Sequence, residues 1–143
     1  MTSQSTVTLS RKVQFQCLHK YELKNFSEQQ NQETFGACYT EYGHGHTYSL
    51  VGYFNGPIDA ETGMIINLKD VDDLLKSAVQ PLAGKHLNFE VSEFKEAVPT
   101  TENVLLWLAK DLQKKVKSFP SVTLSRLRLY ETDNLWVDWV SNE

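Results

Sequence analysis

The sequence predicts an α+β protein in which a four-stranded antiparallel sheet carries two helices on one face. Apolar residues alternate along four segments, recur at helical spacing along two others, and the segments follow one another in the order ββααββ. The 143 residues are 41% hydrophobic and 22% charged, which suits a single domain, 1–143, with a buried core. Such a sheet leaves its edges and outer face uncovered, so we expect an oligomer.

The first two predicted strands bracket a long connection. Mostly apolar side chains alternate with others between residues 13 and 19, so the inward face of this strand ends at His19. A second strand carries paired histidines and continues through residues 48–54, where the Asn-Gly-Pro step at 55–57 predicts a turn. The connection, residues 20–43, is long for a compact domain, and such connections are usually functional or mobile.

Two amphipathic helices follow. Asn67 is a suitable cap for the first, in which apolar residues recur at helical spacing over 68–79. The second starts at the Thr-Thr-Glu step of residues 100–102, where threonine caps the helix and glutamate suits its positive end. Its apolar positions run through residues 104–112.

The last two predicted strands form a hairpin. Residues 122–131 and 135–140 carry strand patterns, and Thr-Asp-Asn at 132–134 supplies the turn. The apolar phase slips within the first of these strands. We therefore expect a β-bulge near Ser125 and Arg126.

Charge and hydropathy argue against two classes of partner. The net charge is −4, and lysine and arginine form no concentrated patch of the kind that phosphate backbones require. No apolar run approaches the roughly 18 residues of a membrane span, and residues 1–10 lack the apolar core of a secretory signal. We expect a cytoplasmic protein that binds neither nucleic acid nor membrane.

Three of the four histidines have a pattern typical of metal ligands. His44 and His46, two apart on a strand, leave the same face, and His19 ends the inward face of its own strand. Three imidazoles leave a fourth coordination position open, as in catalytic zinc sites. The plain alternative is that one or two of them are core or turn histidines, but the third histidine and the nearby Cys38 favour the metal site.

Five groups of residues carry a resemblance that covers nearly the whole chain. They read Phe-Gln-Cys-Leu-His at 15–19, Phe-Gly-Ala-Cys at 35–38 with Gly-His-Gly-His-Thr-Tyr at 43–48, Gly-Met-Ile-Ile-Asn-Leu at 63–68, Thr-Thr-Glu-Asn at 100–103, and Tyr-Glu-Thr-Asp-Asn at 130–134. In this order they resemble the 6-pyruvoyl tetrahydropterin synthase family. The resemblance implies a tunnelling fold, trimers that pair into a homohexamer, a Zn²⁺ ion on three histidines, and a pterin site at a subunit boundary.

The resemblance also implies roles for individual residues. Cys38 matches the catalytic cysteine, with the spacing to His44 of the tetrahydropterin-forming branch; the competing reading makes Cys38 a fourth zinc ligand that closes the site. Glu131 matches the pterin anchor, which accepts paired N–H bonds from the aminopyrimidine edge. As an isolated residue, Glu131 would be read as a strand-end carboxylate facing water. The other implied assignments are His19, His44 and His46 as zinc ligands, and Thr100, Thr101 and Glu102 beside the pterin ring.

The chain departs from the family pattern at one point. Where the family carries an Asp-His pair for proton transfer, this chain has Ala83 and Gly84, which handle no proton. His86 lies two residues further on. Either a loop shift at Gly84 returns this imidazole to the vacant place, which makes His86 a second catalytic residue, or His86 is a polar loop residue facing solvent.

The resemblance implies a zinc-dependent carbon–oxygen lyase of tetrahydrobiopterin biosynthesis that acts on 7,8-dihydroneopterin triphosphate or a close analogue. Zinc would polarise side-chain oxygens while Cys38 moves protons. The missing pair supports a second hypothesis, a catalytically impaired pterin- or purine-binding oligomer that serves as a carrier or regulator. A third is a structural zinc protein closed by three imidazoles and one thiolate.

Overall fold

The computed structural model describes residues 5–142, and a five-stranded mixed sheet organises the chain. Residues 1–4, the start of the polar stretch 1–10, lie outside the described residues. The strand order is β3-β1-β2-β4-β5, with β3 parallel to β1 and the other neighbours antiparallel. The strands are β1 Thr6–His19, β2 His44–Pro57, β3 Lys85–His86, β4 Thr123–Thr132 and β5 Leu135–Val140.

The predicted four-stranded antiparallel sheet is wrong in its strand count and in the direction of one strand. The four predicted strands are present and antiparallel, but β3 adds a short parallel edge. Gly84, at φ 74°, turns the chain there, and its N–H donates to the Gln16 carbonyl at 2.6 Å. A strand of two residues has no room for an alternating pattern, so periodicity could not reveal it.

The first strand pair is longer than predicted. β1 begins at Thr6 rather than at residue 13, and the predicted turn at 55–57 is wrong because these residues continue β2 opposite residues 6–8. The Thr8 hydroxyl donates to Asn55 Oδ1 at 2.7 Å across this pair. Residues 6–12 are mostly exposed, so they lack the apolar alternation on which the prediction relied.

The two long helices lie where the sequence predicts them. Helix α2 spans Leu68–Val79, and Asn67 Oδ1 accepts from the Lys69 N–H at 2.9 Å. Helix α4 spans Thr101–Lys115 and is capped by Thr100. The buried faces of both helices share one core with inward strand residues such as Phe15, Leu50 and Leu127. Within residues 5–142, every helix is too short or too polar to cross a bilayer.

The predicted bulge in β4 is confirmed. Tyr53 of β2 pairs with Arg126, whereas the next residue, Phe54, pairs with Leu124, which leaves Ser125 as the extra residue. The Ser125 hydroxyl donates to the Tyr53 carbonyl at 3.2 Å.

The connection between β1 and β2 contains a helix that the sequence reading missed. Helix α1, Glu28–Phe35, starts with a capping box in which Ser27 and Gln30 exchange side-chain-to-backbone hydrogen bonds. The buried Asn31 side chain ties the helix to Leu23 through the backbone N–H and C=O. A 3₁₀ turn, Gly36–Cys38, follows and ends at the cysteine. A second short helix, α3, spans Leu87–Glu90 after β3.

Candidate metal centre

The ends of β1 and β2 bring three histidines together, as the sequence predicts. His19 pairs with His44 in the strand register, and His46 lies on the same face as His44. The potential ligand atoms of the three imidazoles all lie within 4.8 Å of one another. Gly43 permits this close approach, because it has φ 81° and a Cβ there would overlap the His19 carbonyl.

The donor set fits a divalent transition metal such as zinc. His19 Nε2 and His46 Nε2 are buried and have no hydrogen-bond partner among the described residues. Unpaired buried polar atoms are costly, and a cation would satisfy both nitrogens. His19 Nδ1 lies 2.7 Å from the Tyr48 hydroxyl. A metal on Nε2 would leave the proton of His19 on Nδ1, where it would donate to this hydroxyl and fix the tautomer and the ring orientation.

The electrostatics of the cluster favour the neutral form of His19 and His46. Burial lowers the pKa of His19 to about 3, and repulsion from His46, His44 and His86 adds to this shift. Burial also lowers the pKa of His46, although the negative charge of Glu131 acts in the opposite direction. A neutral imidazole is the form that binds a metal, so the site needs little deprotonation at neutral pH.

The lowered pKa of His19 predicts acid sensitivity of the metal-free protein. From pH 6.5 down to about 3, the unfolded chain binds a proton that native His19 does not bind. The free energy of unfolding therefore falls as the pH falls, by up to about 1.4 kcal/mol per pH unit from this residue. Urea denaturation in chelator at several pH values measures the slope. The His19→Gln variant should have a shallower slope, and equal slopes would contradict the prediction.

Cys38 lies beside the histidines but is not one of the clustered ligands. Its carbonyl accepts from the Tyr21 N–H at 3.0 Å, and the Tyr21 ring lies 4.7 Å from the His19 ring, centre to centre. Among the described residues, the cluster of potential ligand atoms holds three imidazoles and not this thiol. Burial raises the pKa of Cys38, and Glu131 raises it further. Its thiolate would thus depend on a nearby cation.

Glu131, the pterin anchor that the resemblance implies, also lies next to two of the histidines. It is buried on β4, and its Oε1 lies 3.4 Å from both His19 Nε2 and His46 Nε2. The Tyr21 hydroxyl is 3.5 Å from the same oxygen.

The predicted pterin-binding residues at the start of α4 lie near this group. The pKa of Tyr21 is raised by burial first and then by nearby negative charges, including Glu131 and Glu102. Thr101 is buried and Glu102 is exposed, whereas Thr100 uses its hydroxyl oxygen to accept from the Asn103 N–H. The structure thus groups Thr101 and Glu102 with Tyr21, and it gives Thr100 a capping role.

His86 is not one of the clustered imidazoles, although it lies close enough to lower the pKa of His19. It is half-buried in β3, its Nε2 lies 2.8 Å from the Tyr42 carbonyl oxygen, and its ring stacks on Phe89 at 4.2 Å. It is therefore held against the loop that precedes β2 instead of facing solvent freely. Ala83 and Gly84 are exposed in the turn after α2.

Sequence reasoning missed two tyrosines of the site, Tyr21 and Tyr48. Each lies two residues beyond a predicted ligand, Tyr21 after His19 and Tyr48 after His46. The alternation that identified the histidines, continued by one step, would have placed both tyrosines on the same face.

Comparisons with known proteins agree on one family. A family model described as 6-pyruvoyl tetrahydropterin synthase matches residues 8–142. The 6-pyruvoyl tetrahydrobiopterin synthase of Homo sapiens is 39% identical over 127 residues, which cover 88% of this chain and 86% of that protein. The structure of Caenorhabditis elegans 6-pyruvoyl tetrahydropterin synthase matches with a TM-score of 0.89 and 25% identity, covering 99% of this chain and 100% of that one. A dihydroneopterin monophosphate aldolase of Pyrococcus furiosus is 30% identical over 95 residues, 66% of this chain and 75% of that protein.

Proposed function

The chain belongs to the 6-pyruvoyl tetrahydropterin synthase family, and we propose that it is a lyase acting on pterin phosphates. The proposed substrate is 7,8-dihydroneopterin triphosphate or a close analogue. The observation that carries this proposal is the partly buried cluster of His19, His44 and His46, in which two nitrogens have no hydrogen-bond partner among the described residues, next to a thiol and a carboxylate. Such a reaction needs ligands for a metal, a side chain that transfers protons and a group that binds the pterin ring. The imidazoles, the thiol and the carboxylate can fill these three roles.

The metal in this proposal is zinc, held by His19, His44 and His46. When bound, it would polarise oxygens of the pterin side chain. Side chains of the protein bind the pterin ring. Glu131 accepts hydrogen bonds from the aminopyrimidine edge, and Thr100, Thr101 and Glu102 border the ring at the start of α4.

Proton transfer is proposed for Cys38 and His86. The Cys38 sulfur takes a proton from a side-chain carbon of the pterin and returns it at the neighbouring carbon. The buried Nδ1 of His86 has no partner among the described residues, while Nε2 contacts the Tyr42 carbonyl. With Nε2 protonated, Nδ1 carries the free lone pair and is the atom able to accept a proton.

The proposed working form is a cytoplasmic homohexamer, a dimer of trimers. β5 is an edge strand of the sheet and exposes Leu135, Trp136 and Val140. An exposed apolar edge strand is a ready template for pairing with another chain.

The test of the lyase is direct turnover. Zinc-loaded protein is incubated with 7,8-dihydroneopterin triphosphate, and released inorganic triphosphate and the pterin product are quantified by chromatography and mass spectrometry. We expect release that stops when a chelator removes the metal. Recovery of only the starting material from the zinc-loaded protein contradicts the proposal.

A second candidate is a catalytically impaired pterin- or purine-binding oligomer that acts as a carrier or regulator. The observation that favours it is the exposed Ala83–Gly84 turn, which offers no side chain for proton transfer. The turnover experiment separates the two, since this candidate retains bound pterin without releasing triphosphate.

A further inference from the structure

The segment that carries Tyr21 lies outside the helices and strands, yet an asparagine side chain holds it on either side. Before Tyr21, the Asn88 side chain bonds both the backbone N–H and the C=O of Lys20, each at 2.8 Å. After it, Asn31 bonds the N–H and the C=O of Leu23, at 2.8 and 3.2 Å. A loop backbone that is hydrogen-bonded on both sides has few conformations left, so the position of Tyr21 is fixed.

The phenol ring of Tyr21 is held as well. Its centre lies 4.7 Å from the centre of the His19 ring and 5.9 Å from that of Phe35. The backbone N–H of Tyr21 donates to the Cys38 carbonyl at 3.0 Å, which ties the residue to the turn that ends at the cysteine. With the backbone and the ring both in place, the hydroxyl is directed at Glu131, whose Oε1 lies 3.5 Å away.

The carboxylate of Glu131 needs such a donor. The residue is only 8% exposed, and a buried carboxylate without a hydrogen-bond donor is costly. Its other near neighbours are the Nε2 atoms of His19 and His46, and a neutral imidazole nitrogen that ligates a metal has no proton to donate. Among the hydrogen bonds of the described residues, the Glu131 side chain accepts the one from Tyr21. A phenol, with an ordinary pKa of about 10, keeps its proton at neutral pH and can always donate.

We propose that Tyr21 is a positioning residue, whose hydroxyl fixes the plane of the Glu131 carboxylate and thereby sets a preference for heterocycles with a 2-amino group. The role rests on the proposed function, in which Glu131 accepts two N–H groups from the aminopyrimidine edge. A carboxylate offers about four lone-pair positions, so one bond from Tyr21 leaves enough for both N–H groups.

The distance between the two oxygens suits this role. A complete O–H···O⁻ bond is about 2.5–2.7 Å long, so the Tyr21 hydroxyl, at 3.5 Å, can approach Glu131 further. Hydrogen bonds in active sites often shorten in this way when the substrate binds. A carboxylate held in one plane can accept both N–H groups at once, whereas one that rotates loses the second bond.

The test compares two fluorescent heterocycles that differ at one position, by fluorescence titration of the zinc-loaded protein. One is neopterin, and the other is its 2-oxo analogue, a lumazine with the same side chain. The wild type should bind neopterin more tightly by about tenfold or more, because a site built to bond N–H groups rejects an analogue that lacks one. Tyr21→Phe should raise the neopterin Kd by about tenfold, the effect of one hydrogen bond to a charged group, and leave the Kd of the analogue unchanged. In triphosphate release, KM should rise and kcat should stay, as for lost uniform binding.

Tyr130 provides the matched control. It is the neighbour of Glu131 on β4, and its hydroxyl accepts from Arg128 instead of contacting the carboxylate. Tyr130→Phe should leave both Kd values unchanged. In a Glu131→Gln background, Tyr21→Phe should cause no further loss, because Tyr21 acts through the carboxylate.

Three results would overturn the role of Tyr21. They are an unchanged neopterin Kd in Tyr21→Phe, an equal loss for both heterocycles, which would indicate general damage to the site, and a further loss in the Glu131→Gln background. A wild type that binds neither heterocycle would overturn it together with the pterin anchor. A wild type that binds neopterin but releases no triphosphate would refute the lyase alone, and the two Kd values of Tyr21→Phe would still decide the role of Tyr21.

Discussion

Replacing Cys38 with serine should lower kcat/KM for triphosphate release by about 10^2-fold to 10^4-fold, the usual loss for a positioned acid or base. Serine has nearly the same shape but does not ionise at neutral pH, so it holds no proton-accepting anion. The zinc Kd should not change, because the thiol is not part of the cluster of imidazole ligands. Steady-state kinetics and a chelator competition measure the two quantities on the same preparation.

Cys17 provides the matched control for this experiment. It is the other free cysteine, it is buried, and burial raises the pKa of its thiol to about 12. Cys17→Ala should therefore keep its activity while losing some stability, since it removes a core atom. A large rise in the zinc Kd of Cys38→Ser would instead favour the closed structural site with three imidazoles and one thiolate.

The sequence predicts best those parts of the site whose residues alternate along a β-strand. A period of two predicts that His44 and His46 share one face and that His19 ends the inward face of its own strand, and the structure brings the three together. Cys17 lies two residues before His19 on the same alternating face and has 2% exposure. The bulge at Ser125 could also be read, because an inserted residue shifts the apolar phase of β4.

Other features depend on tertiary contacts that periodicity does not encode. The position of His86 is set by its contacts with the Tyr42 carbonyl, 44 residues away in the sequence, and with the nearby Phe89. Neither contact leaves a repeating pattern in the sequence. The orientation of Glu131 toward the histidines follows from the pairing of β4 with β2, so its chain position alone suggested a residue facing water. Helix α1 was missed for a different reason: its capping box was readable at Ser27 and Gln30, but its polar surface resembled a loop.

Replacing His46 with alanine should weaken zinc binding by about 10^2-fold or more, because a direct ligand contributes at least as much as the roughly 10–100-fold of outer partners. Triphosphate release should fall to the level of the chelator-treated wild type. His46 is the better target than His19, since it is half-buried, whereas His19 has 0% exposure and its loss would leave a cavity in the core.

Unfolding experiments with and without zinc make this prediction independent of turnover. Zinc at about 100 times its Kd should add about 2.7 kcal/mol to the free energy of unfolding of the wild type. His46→Ala should lose most of that increment at the same zinc concentration. His86→Ala is the control, because its imidazole contacts the Tyr42 carbonyl instead of the cluster, and it should keep the full increment. If zinc stabilises His46→Ala as strongly as the wild type, the ion binds elsewhere and the three histidines are not its ligands.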